Sequence, residues 1–101
     1  MANIELAATS ASAEPADAVG CFELGMIYSA GAGVPVDMVA AHQWFNIAAM
    51  RGHADAAKLR REVAEQMSDG EIGRAQRAAR DWLKVHPQPV AQVMPDIRAA
   101  A

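Results

Sequence analysis

The side chains able to do chemistry are few and scattered. There are three histidines, His42, His53 and His86, one cysteine, Cys21, and four acids close in sequence, Glu62, Glu65, Asp69 and Glu71. A metal site would need His or Cys ligands paired at helical i,i+4 spacing or clustered in a short loop. Each histidine instead stands alone in its segment, so ordinary packing or solvation accounts for them. The four acids read as helix-surface pairs and a cap, not as a general acid and base. No nucleophile elbow surrounds any serine. Gly31-Ala32-Gly33 follows a helix and lacks the Lys-Ser/Thr of a phosphate loop. The expectation is no catalytic residue, no metal and no cofactor: the chain is not an enzyme.

Composition agrees with that reading. The length of 101 residues fits one domain, and 52% apolar residues can form a core. So small a domain buries little surface and is marginal alone. Alanine dominates and adds little burial per residue, so packing falls to Phe22, Leu24, Tyr28, Trp44, Phe45, Ile47, Leu59, Trp82 and Leu83. The net charge is −3, unlike the strongly basic footprint of a dedicated nucleic-acid binder. It is unevenly spread: residues 1–50 hold five acids and no Lys or Arg, whereas residues 51–101 hold nine bases and seven acids. A single cysteine excludes an intrachain disulfide, and Cys21 reads as a small buried side chain. Glu5 stands where a signal peptide needs an apolar core. The uncharged runs Leu24–Val36 and Met38–Met50 are too short to span a bilayer. A soluble, reducing, cytoplasmic setting is expected, with no membrane partner.

Four helices are predicted, with helical periodicity and no strand alternation. Residues 1–13 are an N-terminal tail. Pro15 suits a first helical position, and the first helix runs to about Ser29, stopped by Gly31. Asp37 N-caps a second helix over Met38–Met50, apolar on most faces and therefore central. Arg51 lies in its last turn and Gly52 follows. A third helix spans about Ala54–Met67, its inner stripe Ala56, Leu59, Val63 and Met67, with Lys58–Glu62 and Arg61–Glu65 as outer i,i+4 pairs. Ser68-Asp69-Gly70-Glu71 is a capping box, with Met67 and Ile72 as its staple. The fourth helix runs to about Val85, facing Ile72, Ala75, Ala79, Trp82 and Leu83 inward. His86-Pro87-Gln88-Pro89 ends it. Residues 87–101 are a tail with an apolar patch, Val90, Val93 and Met94. Two successive helical hairpins suggest a repeat architecture.

Across the first hairpin the residues read Leu24-Gly25-x-x-Tyr28-x-x-Gly31-x-Gly33-Val34-x-x-Asp37, then Ala41-x-x-Trp44-x-x-x-Ala48-Ala49-x-x-Gly52-x-x-x-Ala56. This resembles the Sel-one-like repeat, a relative of the tetratricopeptide repeat, with residues 20–56 forming one full repeat. Each position has a physical reason. Gly25 lets the second helix approach the first. Tyr28 and Trp44 fill the hairpin. Gly31 and Gly33 supply unusual backbone angles. Asp37 caps, Ala41, Ala48 and Ala49 keep contacts tight, and Gly52 turns the chain. Residues 52–56 begin a second unit that then departs, with Arg60 and Arg61 where the family has Leu-Gly. The last two helices are therefore expected to be a capping hairpin, completing an ordered region over residues 14–86. The resemblance implies an all-α, right-handed α-solenoid fold and an adaptor that binds a protein or peptide.

The surface expected to bind is Phe22, Glu23, Met26 and Ile27 on the first helix. A second class of function, a nucleic-acid-associated regulator, would use Arg74, Arg77 and Lys84 of the last helix, with Arg80 close by and Asp81 interrupting them. One repeat plus a cap falls short of the three or so units that stabilise such stacks, so a homodimer or higher oligomer is expected. Trp82, the 90–94 patch and the Ala-rich N-terminus could cover the open edge.

Overall fold

Asp17 opens the first helix by capping it, and it is also where the computed structural model begins its description, which covers residues 17–87. Four helices follow: α1 (Ala18–Ala30), α2 (Met38–Met50), α3 (Ala56–Ala64) and α4 (Asp69–Val85), with no strand among the described residues. The Asp17 carboxylate accepts from the Gly20 N–H at 2.8 Å, so α1 starts at Ala18; the expected start at Pro15 lies outside the described residues. Gly31 ends α1 at φ +71°. Its N–H and that of Ala32 both reach the Ile27 carbonyl, at 2.9 and 3.0 Å. A side chain at position 31 would be strained by that φ and would also meet Val36.

The linker folds back on the helix it leaves. The Asp37 N–H donates to the Tyr28 carbonyl at 3.0 Å. The Asp37 carboxylate then accepts from the Ala40 N–H, also at 3.0 Å, and starts α2 as predicted. α2 buries Ala41, His42, Phe45, Ile47 and Ala48, residues spread around its circumference. It is the central helix, and α1, α3 and α4 each pack on it.

α3 is shorter than predicted at both ends. The Asp55 side chain makes no cap; instead its N–H donates to the His53 ring at Nδ1, 3.2 Å away. At the other end the N–H groups of Gln66 and Met67 reach back only three residues, to Val63 and Ala64. That tightening to a 3₁₀-type turn ends the α-helix early. The inner stripe is as expected, with Ala56 and Val63 buried and Leu59 and Met67 packed beside them. The expected Lys58–Glu62 and Arg61–Glu65 pairs do not close; the one side-chain ion pair among the described residues is Lys84–Asp81. The outer face is solvated, and holding two long side chains together there yields little. α4 begins with the predicted capping box. Ser68 Oγ accepts from the Glu71 N–H at 3.1 Å, and Glu71 Oε1 accepts from the Ser68 N–H at 2.9 Å.

The second hairpin is not a hairpin in its contacts. α3 and α4 scarcely approach one another, and each is seated on α2. The core divides accordingly. Cys21, Ile47, Ala48, Ala56 and Ala79 form one cluster, covered by Trp44, Trp82 and Leu83. Ala41, Phe45 and Val63 form the other, covered by Tyr28, Leu59 and Met67. Phe22 touches both. Gly25 makes the first contact possible: a Cβ there would lie 2.5 Å from the Phe45 ring, which is itself only 1% exposed and has no room to yield.

Candidate protein-docking surface

Among the described helices α1 packs chiefly on α2, and it is apolar nearly all the way round. Glu23 is its one charged residue. Cys21 and Gly25 face α2 and are buried. On the opposite side Val19, Glu23, Met26 and Ala30 line up at i, i+4, i+7 and i+11, all exposed, with Val19 at 56% and Met26 at 45%. Helices of monomeric domains usually turn such residues inward.

The four residues singled out on α1 divide between stripe and margin. Glu23 and Met26 lie on the exposed stripe, and Phe22 and Ile27 are half-buried at its margins. Phe22 stacks on the His53 ring at 3.9 Å and 7°, and leans on Phe45 at 5.5 Å. His53 thereby braces the end of α2 against α1.

The same C-terminal end of α2 is also held by a clasp that sequence reasoning missed. Arg51, the C-cap of α2, reaches α4 with its guanidinium, lying 5.0 Å from the Trp82 ring centre and donating to the His86 carbonyl. The His86 ring stacks on Trp82 at 3.9 Å and 9°, and its Nδ1 donates to the Trp82 carbonyl at 2.9 Å. Trp44 meets Trp82 edge-on at 5.3 Å. The i,i+4 spacing of Trp82 and His86 was a visible signal of the stack. The distant Arg51 was not.

On α4, Arg74, Arg77 and Lys84 are exposed, but Asp81 projects among them and pairs with Lys84 at 3.8 Å. Arg80 sits on the flank, beside α2. No continuous cationic stripe results, and the nucleic-acid reading gains no support.

Two described side chains, Cys21 and His42, have shifted titration. Burial raises the Cys21 thiol, Arg51 opposes the shift and Asp17 adds to it; a thiol held protonated is a poor nucleophile. His42 is 3% exposed and its Nδ1 has no hydrogen-bond partner among the described residues. Burial, then the nearby Arg60, lower its pKa below the ordinary 6.5, so it is neutral at pH 7. Among the described residues no group of three His, Cys, Asp or Glu is placed to hold a metal ion, and no helix is long and apolar enough to cross a membrane.

Ala41, Ala48 and Ala56 are fully buried, Ala49 and Trp44 half-buried, and Gly31, Gly33 and Gly52 take positive φ. The model of the family described as the Sel1 repeat matches residues 18–53, and such repeats have a helical, tetratricopeptide-like fold and generally mediate protein–protein interaction. No curated protein and no solved structure matches the chain.

Proposed function

We propose that this chain, carrying a Sel1 repeat at residues 18–53, works as a non-catalytic adaptor in the cytoplasm, docking a protein or peptide partner on the outward stripe of α1. One observation carries the reading: α1 has a helix neighbour on one side and leaves Val19 and Met26 exposed on the other. Phe22 and Ile27 flank that stripe, and Glu23 gives it a single negative charge. A second copy of the chain is the first partner to test, because one repeat with two further helices is a short stack.

Analytical ultracentrifugation over micromolar concentrations tests this directly. The wild type should sediment above the 10.7 kDa monomer, and a Val19→Glu/Met26→Glu variant should return to monomer with its helical circular dichroism unchanged. A wild-type monomer at all concentrations removes the self-association. If the double variant also captures the same proteins as the wild type in a quantitative pull-down, the α1 surface is the wrong one.

A further inference from the structure

A groove of about 480 Å³ runs between α2 and α4, away from the α1 stripe. Asn46 and Met50 line it from α2, and Gln76, Ala79 and Arg80 from α4. Its chemistry is mixed in a particular way. Ala79 is 1% exposed and forms the floor, while the Met50 thioether stands 59% exposed at the wall. Methionine at such a wall adapts to apolar side chains of differing shape. Two carboxamides, Asn46 and Gln76, offer the donors and acceptors that an extended backbone needs. The Asn46 oxygen accepts from Arg60 Nη1 at 2.7 Å, so its NH₂ and the oxygen's second lone pair are left for a ligand.

The charge is one-sided. No acid lines the groove. Arg80 has no carboxylate within ion-pair distance among the described residues, and Arg60 donates to Asn46, which lines the groove. One free guanidinium with a second at the edge suits a carboxylate, which arginine binds in a planar, two-pronged fashion. Nucleic acid would ask for a run of cations tracking successive phosphates, and the groove has no such run.

We propose that this α2–α4 groove binds an acidic peptide segment, seating an apolar side chain on Met50 and Ala79 and a neighbouring carboxylate on Arg80. This rests on the reading of the chain as a protein-binding module, and adds a second surface to it.

The test is a nuclear magnetic resonance titration of the full, isotope-labelled chain with a peptide of about eight residues alternating Leu and Glu. Saturable shifts are expected at the backbone of Asn46, Met50, Gln76, Ala79 and Arg80 and at the side-chain NH₂ of Asn46 and Gln76. Arg80→Glu should weaken binding by about tenfold or more, the scale of one lost charge-assisted pair, with the rest of the spectrum unchanged because Arg80 is exposed. A Leu–Gln peptide should weaken likewise, and the control Lys58→Glu on α3 should leave affinity as it was. Four results overturn the proposal: no saturable shift, equal affinity for the Leu–Gln peptide, no effect of Arg80→Glu, or a single-stranded DNA oligomer that takes the groove in the peptide's place. Shifts confined to Val19, Glu23 and Met26 overturn the groove while leaving the α1 surface standing. Failure of the α1 surface shows instead in the sedimentation of the Val19→Glu/Met26→Glu variant, which does not touch the groove.

Discussion

The two halves of this molecule are both helix pairs, and they are built on opposite plans. α1 and α2 are apolar on almost every side and pressed together, backbone against ring, at Gly25 and Phe45. α3 and α4 are amphipathic, charged outside, and nearly independent of one another. The first pair supplies the structure's closest internal fit and leaves apolar surface on show. The second pair adds no fit of its own; each helix covers part of α2 and turns a solvated face outward. Among the described residues, then, apolar surface is left exposed on α1 and solvated faces on α3 and α4.

The comparison can be broken most directly at Phe45. Phe45→Ala should cost about 3–5 kcal/mol, the usual loss for a fully buried aromatic, and for a small domain that is a large share of total stability. Urea denaturation should show all four helices lost together; survival of α1–α2 would mean that their joint is not the main one. Trp82→Ala addresses the other half. Trp82 is half-buried, so about 2 kcal/mol is expected, below the range for a fully buried Trp. Hydrogen exchange should show α4 losing protection before α1 and α2; uniform loss would show the two halves to be energetically one.

Gly25→Ala sharpens the same comparison at smaller scale. The added methyl meets the Phe45 ring, an overpacking cost of about 1–3 kcal/mol, partly offset by up to ~1 kcal/mol of helix propensity. A net loss in thermal unfolding is expected, whereas Gly73→Ala on α4, whose Cβ would meet only the end of the flexible Arg77 side chain, should be neutral or stabilising. The least effect is expected with pH. His42 has a folded pKa below 6.5, so the unfolded chain takes up its proton first as pH falls. Its contribution is complete above about pH 6.5 and is lost below that, through the folded pKa. The urea midpoint should fall between about pH 7.5 and about pH 5, and fall less in His42→Gln; an equal drop in both would place the acid sensitivity elsewhere.

What the sequence made legible was local chemistry. Asp37, Gly31 and the Ser68–Glu71 box mark their helix ends because each acts on backbone groups within five residues of itself. The start of α2 follows from one such mark, Asp37. The end of α3 was hidden, since Gln66 and Met67 form a tightened turn in which helical periodicity persists after the α-helix has stopped. An apolar stripe shows that a helix has an inner face but not which helix that face meets, so α3 and α4 were read as partners when both belong to α2. The same limit hid the Arg51 clasp, joined across 35 positions. It also hid the groove, where Asn46 and Arg80 come from different helices. On α1 the exposed stripe was half-visible: Glu23 and Met26 were singled out, but Val19 was not, because an all-apolar helix gives no clue to which of its sides is covered.

The near-independence of α3 and α4 also bears on how this chain could grow. Neither helix relies on the other for its seat, so the turn at residues 65–68 has only to connect them, set Met67 on the core and let Ser68 cap α4. Lengthening a loop costs free energy only logarithmically. An inserted segment there would lengthen the path between two docking events that are already separate, and α2 would still receive both helices. The turn after α1, pinned by the Asp37 N–H to the Tyr28 carbonyl, has no such tolerance. A chain of this kind can acquire new sequence in its second half while its first half stays the same length.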